Sequence, residues 1–165
     1  MKSGETKEAR SGWENPPIRI DREGRFWSEG EEIVHERMLD FLRRHLRPVQ
    51  GGAGWEIYVS EWERKPVQIE DVPYQVVSCR DVGGTPGGMP ERILIRTYDG
   101  AEEFLVPETL HYRGNVPYCL VKNGAAGARF SRQAAQSLSH LMVELPDGRI
   151  VLRLGSGEYE LGRME

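Results

Sequence analysis

Apolar and polar residues alternate along much of the chain, and this period of two predicts β-strands. Ile18 and Ile20 flank Arg19 in the first such stretch, which begins near Pro16. Further stretches of this kind lie at 55–60, 67–69, 75–82, 118–121, 150–154 and 158–161. The pattern therefore predicts a protein made mostly of short strands.

Two segments instead carry apolar residues three and four positions apart, which predicts amphipathic helices. The first is expected to begin at Ser28, because Ser28 and Glu31 have the spacing of a capping box, and to end before Pro48. The second is expected to begin at Ser131 as N-cap and to end at the turn 146–148. The apolar stripes consist of Ile33, Val34, Met38, Phe41, Leu42 and Leu46 in the first helix and Ala134, Ala135, Leu138, Leu141 and Met142 in the second.

Glycine, proline and aspartate mark the turns between these elements. Segment 83–90 contains four glycines and two prolines and predicts an irregular exposed loop. The dipeptide at 99–100 is Asp-Gly, which predicts a two-residue type I′ hairpin that pairs Arg96 with Glu103. A further turn is expected at 64–66.

Both halves of the chain show the same order of a strand, an Arg-Phe pair, a serine-capped helix and a hairpin. This order predicts an α+β fold of two similar halves, each an amphipathic helix packed on a mainly antiparallel sheet. The predicted organisation is a disordered tail at 1–12, an N-terminal α+β half at 13–82, a Gly/Pro-rich loop at 83–90 and a C-terminal α+β half at 91–165. Chance repetition of a common motif is the alternative.

Composition limits the classes of partner. The chain has 165 residues and a net charge of −4, and its Lys and Arg residues are scattered, which argues against a nucleic-acid partner. No apolar run reaches the roughly 20 residues of a membrane helix, so we expect no membrane partner and a cytoplasmic location. Cys79 and Cys119 are predicted to be buried, unreactive thiols, with a reactive or bridged pair as the alternative.

Motifs of enzyme chemistry are incomplete in this sequence. His35 and Glu36 begin a zinc-helix pattern, but Leu39 stands where the second histidine is required. The glycine loop at 83–90 lacks the Lys-Ser/Thr of a phosphate-binding loop, and 155–157 is a turn rather than a nucleophile elbow. We therefore predict no catalytic residues, no metal and no cofactor.

A set of short motifs runs along residues 16–145. They are Ile18-Arg19-Ile20 before Gly24 and Trp27, Gly30 with Ile33, Glu63-Arg64-Lys65, Ile69-Glu70-Asp71-Val72-Pro73-Tyr74, Gly114 with Pro117-Tyr118, and Arg129 with Arg132. Together they resemble a bacterial family known only as domain of unknown function 1285. The resemblance implies an α+β fold with internal repeats and a suggested role in signalling or ligand sensing, and it implies no established catalytic residues.

Aromatic and charged residues gather around one predicted hairpin and could face polar residues of the second half across a cleft. Such a cleft, with an apolar wall and a few fixed donors, is typical of a small-ligand pocket. The candidate ligand-binding residues are Trp62, Glu63, Lys65, Asp71, Tyr74, Tyr118, Lys122 and Arg129. A solvated hairpin tip with ordinary surface charges is the alternative.

The leading hypothesis is a non-enzymatic regulatory or sensing protein that binds a small ligand, for which an anion is one option, between its two halves. A second hypothesis is an enzyme that uses Glu63 and Asp71 as acid and base. A third is an interaction module without a pocket, which binds a protein partner through sheet edges or an apolar patch.

Overall fold

The computed structural model describes residues 17–163, so the tail predicted at 1–12 lies outside the described residues. The strands are β1 Ile18–Ile20, β2 Phe26–Ser28, β3 Glu31–Glu32, β4 Leu46–Pro48, β5 Trp55–Ser60, β6 Glu63–Ile69, β7 Tyr74–Val82, β8 Arg92–Thr97, β9 Glu102–Phe104, β10 His111–Arg113, β11 Val116–Val121, β12 Ala126–Phe130, β13 Met142–Glu144, β14 Arg149–Leu154 and β15 Gly157–Arg163. The helices are α1 Glu36–His45 and α2 Arg132–Ser139, with a 3-10 turn at Pro107–Thr109. None of the described helices is of a length and apolarity that would let it cross a bilayer.

The chain forms two compact units, one up to Pro73 and one from Tyr74 onward. The first unit contains a six-stranded sheet in the order β3-β2-β1-β6-β5-β4, and α1 packs against β5. The second contains a six-stranded sheet in the order β10-β11-β12-β7-β8-β9, a three-stranded sheet β13-β14-β15, and α2 packed against β7 and β12. Strand β7, predicted as the end of the first half, pairs within the second unit.

The two six-stranded sheets share one topology. Each consists of two three-stranded antiparallel meanders, and the first strand of the first meander pairs in parallel with the last strand of the second. The mixed fold with two similar sheets is therefore present. The repeating unit is this double meander and not the predicted strand, helix and hairpin, because α1 lies between the meanders of its unit whereas α2 follows both of its own.

The predicted start of the first helix at Ser28 is wrong. Glu29 and Gly30 have φ angles of 54° and 79°, which form the tight turn of a hairpin between β2 and β3. The helix begins only at Glu36, where His35 is the N-cap and its Nδ1 accepts the Met38 N–H at 3.4 Å. The left-handed turn at Glu29 and Gly30 breaks the helical pattern that Ser28 and Glu31 suggested.

The apolar stripe of α1 differs from the prediction as well. Leu39 and Leu42 are buried against the sheet, while Val34, Met38 and Phe41 are 71%, 51% and 44% exposed. A helix that starts at residue 36 and packs on β5 presents a face centred on its two leucines. The segment after it pairs with β5 as β4 instead of continuing the helix.

The second helix begins where the sequence predicts. Ser131 is its N-cap, and its Oγ accepts the Ala134 N–H at 3.1 Å. The helix ends earlier than predicted, at Ser139, and Met142 belongs to β13 because that segment pairs with β14. Ala134 and Leu138 are fully buried, as the predicted stripe requires.

Two predicted turns are displaced. The hairpin between β8 and β9 has a three-residue loop, Tyr98–Gly100, closed by a Thr97 N–H to Ala101 carbonyl bond of 3.0 Å. Because this loop is one residue longer than predicted, the register shifts by one and Arg96 pairs with Glu102.

The turn predicted at 64–66 is also displaced. Residues 64–66 lie within β6, and the turn before this strand is at 61–62. The loop 83–90 is irregular and mostly exposed, as predicted, and joins β7 to β8.

Replacing Ser131 with alanine removes the hydroxyl that accepts the Ala134 N–H, so we expect the free energy of unfolding to fall by about 1 kcal/mol. Ser28→Ala is the matched control, because Ser28 lies in a strand and should change stability by less than about 0.5 kcal/mol. Urea unfolding followed by circular dichroism measures both. Equal losses in the two variants would contradict the assigned cap.

Candidate functional site

The second six-stranded sheet has an inner face and an outer face of different chemistry. Residues directly opposite each other on neighbouring strands point to the same face, and successive residues point to opposite faces. Val76, Ile95 and Ala128 belong to the inner face and are completely buried. Gln75 and Arg129 each lie one position away from these residues and therefore belong to the outer face.

The outer face of this sheet is strongly cationic. The arginines on it are Arg80, Arg92, Arg96, Arg113 and Arg129. Within β7 to β12, Glu102 is the acidic residue of this face, because Asp81 and Glu103 lie opposite buried isoleucines of β8 and so belong to the inner face. A chain with a net charge of −4 thus concentrates positive charge on one surface.

One row of side chains crosses the middle of the outer face. His111 lies opposite Tyr118, Tyr118 lies opposite Arg129, and Arg129 lies opposite Gln75 across the parallel strand pair. Arg113 adds a second guanidinium, whose carbon lies 4.5 Å from the centre of the Tyr118 ring. We call these five residues the arginine corner.

Packing within the arginine corner holds its aromatic residue rigidly. The rings of His111 and Tyr118 stack with their centroids 5.8 Å apart, and Tyr118 is only 4% exposed. The Nδ1 of His111 lies 2.9 Å from the Thr109 carbonyl oxygen, so this nitrogen carries the proton and donates it. Arg129 is half-buried in the same row, and a planar guanidinium is the side chain best suited to donating two parallel hydrogen bonds to an anion.

Lys122, a predicted ligand-binding residue, is engaged in a separate cluster. Its Nζ lies 2.7 Å from Asp99 Oδ2 and 4.9 Å from the centre of the Tyr74 ring. Its backbone N–H donates to both carboxylate oxygens of Glu103, at 3.1 and 3.0 Å, and its φ angle of 56° is left-handed. The structure therefore brings Lys122 and Tyr74 together, around an internal ion pair.

The electrostatics of this cluster follow from burial and pairing. Burial alone would raise the pKa of Asp99, but hydrogen bonds from Lys122 and Thr97, and the charge of Lys122, lower the pKa overall. Burial, with a contribution from the Asp99 charge, raises the pKa of Tyr74 to about 12. Asp99 is thus ionised and Tyr74 neutral at physiological pH, which suits a structural pair.

The other predicted site residues lie in the first unit. Trp62 is 87% exposed in the turn between β5 and β6, and Glu63 and Lys65 follow it on β6. Asp71 follows the other end of that strand. Seven strand residues span about 20 Å, so Glu63 and Asp71 are too far apart to act together as acid and base on one bond.

Asp21 is a buried carboxylate that the sequence did not single out. It is 4% exposed and accepts hydrogen bonds from the Glu23 and Arg25 backbone N–H groups, from Arg25 Nε at 2.7 Å and from Trp27 Nε1 at 2.9 Å. Burial would raise its pKa, but the bonds from Trp27 and Arg25 lower the pKa overall. Asp21 therefore fixes the β1–β2 hairpin rather than binding a ligand.

The two cysteines are buried, as predicted, and both are free thiols. Burial, with a smaller effect of the Asp81 charge, raises the pKa of Cys79 to about 11. Burial, with the charge of Glu103, raises the pKa of Cys119 to about 12. Both thiols are therefore protonated at neutral pH.

Sequence reasoning identified Tyr118 and Arg129 but missed their neighbours Gln75, His111 and Arg113. His111 and Arg113 lie on the short strand β10. Their spacing of two residues before Val116 was the signal that could have placed both on one face of a strand. The placement of Gln75 beside Arg129 depends on a parallel pairing between strands about 50 residues apart in the chain. No local pattern predicts such a pairing.

Comparison with solved structures identifies the fold. A DUF1285 family protein from Silicibacter pomeroyi DSS-3 matches with a TM-score of 0.67 at 19% identity, over 90% of this chain and 80% of that chain. A DUF1285 family protein from Shewanella baltica OS155 matches with a TM-score of 0.51 at 16% identity, over 72% of this chain and 87% of that chain. The predicted resemblance is thus confirmed for the fold. No family model and no curated protein matches the chain.

The lowered pKa of Asp99 predicts an acid-dependent loss of stability. The unfolded chain binds the proton more readily than the folded one, so the contribution of ionised Asp99 is present above about pH 4 and is lost as the pH falls further. Asp99→Asn should lower stability at neutral pH and reduce the loss between about pH 6 and about pH 3. Asp40→Asn, which removes an exposed ion pair with Arg44 on α1, is the control and should change stability at neutral pH by less than about 1 kcal/mol. Urea unfolding at each pH measures the free energy of unfolding. If this free energy falls with pH as steeply in the Asp99 variant as in the wild type, the assignment is refuted.

The raised thiol pKa values predict slow reaction with DTNB. At about pH 8 the native protein should react far more slowly than the urea-unfolded protein, because thiolate and access are both required. The unfolded protein should release two equivalents of thionitrobenzoate, one for each cysteine. Rapid release from the native protein would show that one thiol is accessible.

Proposed function

We propose that the protein is a non-enzymatic regulatory or sensing protein, and that its second unit binds a small anionic ligand at the arginine corner. The observation that carries the proposal is the position of Arg129. Arg129 is half-buried in the middle of the sheet, and it lies opposite Tyr118 on one neighbouring strand and opposite Gln75 on the other.

The chemistry of the arginine corner suits a carboxylate or a phosphate. Arg129 supplies a planar, permanently charged fork, and the amide of Gln75 can add a further donor from the neighbouring strand. Arg113 lies on the same face and contributes positive potential. Because Arg129 is half-buried and the two donors belong to paired strands, little side-chain freedom is lost when an anion binds.

The state of the titratable groups favours binding over catalysis. A general acid or base works best with a pKa near the working pH. The buried carboxyls of Asp21 and Asp99 have lowered pKa values, and the pKa values of Cys79 and Cys119 are raised to about 11 and about 12. These groups are all shifted away from the range in which they would exchange protons near neutrality.

A route from binding to a structural response runs through the parallel strand pair. Arg129 and Gln75 belong to different strands, so an anion bridging them would strengthen the β7–β12 pairing. Two residues after Arg129, Ser131 donates its N–H to the Val76 carbonyl and caps α2. Ligand binding would therefore stabilise this strand pair together with the start of the helix, which is the response expected of a sensor.

Thermal unfolding in the presence of inorganic phosphate or citrate tests the proposal, with sodium chloride at the same ionic strength as reference. An anion at about 100 times its dissociation constant should stabilise the native protein by about 2.7 kcal/mol. Arg129→Gln should abolish this gain, and Arg129→Lys should lose most of it because an ammonium cannot form the two parallel bonds.

Arg153→Gln is the matched control, because Arg153 pairs with Glu158 in the three-stranded sheet and should leave the gain unchanged. Equal stabilisation by phosphate and chloride would refute the proposal. An undiminished gain in the Arg129 variants would refute it as well.

A further inference from the structure

A second cationic surface lies on the outer face, on strands β7 to β9. Leu94 is at its centre and is half-buried. Arg80 and Phe104 lie opposite Leu94 on the two neighbouring strands, while Arg92 and Arg96 lie two positions before and after it on β8. We call these five residues the arginine patch. It combines an apolar centre with three surrounding guanidinium groups.

The charges of the arginine patch are largely uncompensated. Arg80, Arg92 and Arg96 are exposed, and none of them forms an ion pair within the described part of the chain. Glu102 lies opposite Arg96 and offsets one of the three charges. The guanidinium of Arg92 lies 3.9 Å from the centre of the Phe104 ring, which is itself 39% exposed. This surface is therefore complementary to acidic groups next to apolar ones.

The patch borders a sheet edge, because β9 ends the strand order of its sheet in the described part of the chain. Thr97 donates its N–H to Ala101, and Leu105 donates its N–H to Ile93 across the same hairpin. In an antiparallel pair the residues between such bonds direct their N–H and C=O groups to the other side. Glu102 therefore presents its backbone groups outward, and so does Phe104.

We propose that an extended acidic segment of a partner protein adds to β9 as a further strand. Its backbone would pair with the outward groups of Glu102 and Phe104, and its acidic and apolar side chains on the outer face would meet the arginine patch. The sheet edge requires a polypeptide, because nucleic acid has no backbone amides to pair with it. A second copy of this chain fits poorly, because the same edge in two-fold contact would bring like charges together.

Binding of a short synthetic peptide of alternating glutamate and valine tests the proposal. The labelled peptide is titrated with the full-length protein and followed by fluorescence anisotropy at low and at physiological salt. A peptide of alternating lysine and valine is the charge control and should not bind. Binding of both peptides with similar affinity, or of neither, would overturn the proposal.

Two substitutions at Glu102 separate strand pairing from simple attraction of charge. Both Glu102→Gln and Glu102→Pro remove the negative charge next to the patch, but only proline removes the outward N–H, and proline is tolerated on edge strands. We expect the glutamine variant to bind the acidic peptide at least as tightly as wild type. The proline variant should bind roughly fivefold more weakly than the glutamine variant.

The role of the charges is measured with Arg92→Gln combined with Arg96→Gln, which should weaken binding of the acidic peptide roughly fivefold. Circular dichroism and thermal unfolding confirm that each variant is folded before its affinity is compared. Equal affinity of the proline and glutamine variants would exclude strand addition. An unchanged affinity of the double arginine variant would exclude the patch as the binding surface.

Discussion

Each six-stranded sheet is held together by one parallel pairing between its first and its last strand. Strands β1 and β6 form it in the first unit, and β7 and β12 form it in the second. A three-stranded meander by itself is near the lower limit of independent stability, so each meander depends on the other through this contact. Both parallel strand pairs end with the same kind of hydrogen bond. The Glu70 N–H donates to the Ile20 carbonyl in the first unit and the Ser131 N–H donates to the Val76 carbonyl in the second, each at 2.9 Å.

Each parallel pairing also places a trio of an aromatic residue, an arginine and a glutamine in one row across its sheet. The trio is Trp27, Arg19 and Gln68 in the first sheet and Tyr118, Arg129 and Gln75 in the second. In the first sheet the residue after the closing strand is Glu70, whose carboxylate pairs with Arg19 at 3.3 Å. In the second sheet that position is Ser131, whose hydroxyl caps α2 instead. The two rows are not equivalent positions of the repeat, because the arginine lies on the first strand of its sheet in one unit, Arg19 on β1, and on the last strand in the other, Arg129 on β12.

The sequence predicted those elements whose signals are local. Strand alternation identified β1, β7 and β11, and the cap at Ser131 identified α2. The helix predicted from Ser28 failed because one glycine and one residue in left-handed conformation converted the segment into a hairpin, and a capping-box spacing does not report backbone conformation. The parallel pairings have no local signal at all, since they join strands about 50 residues apart. For the same reason the sequence identified Arg129 and Tyr118 as individual candidate residues. It could not predict that Gln75 lies beside Arg129, because that neighbourhood follows from the parallel pairing of β7 with β12.

The length of one loop decides what the outer face contains. With a two-residue turn, Phe104 would lie opposite a buried isoleucine of β8 and point into the core. In the three-residue loop the register moves by one, so Phe104 joins the arginines outside and Glu103 turns inward, where its carboxylate accepts the Lys122 N–H. The Nζ of Lys122 in turn binds Asp99 within the loop at 2.7 Å. One lysine therefore contacts both the loop and the strand that follows it, and this ion pair stabilises the register that places Phe104 among the outer arginines.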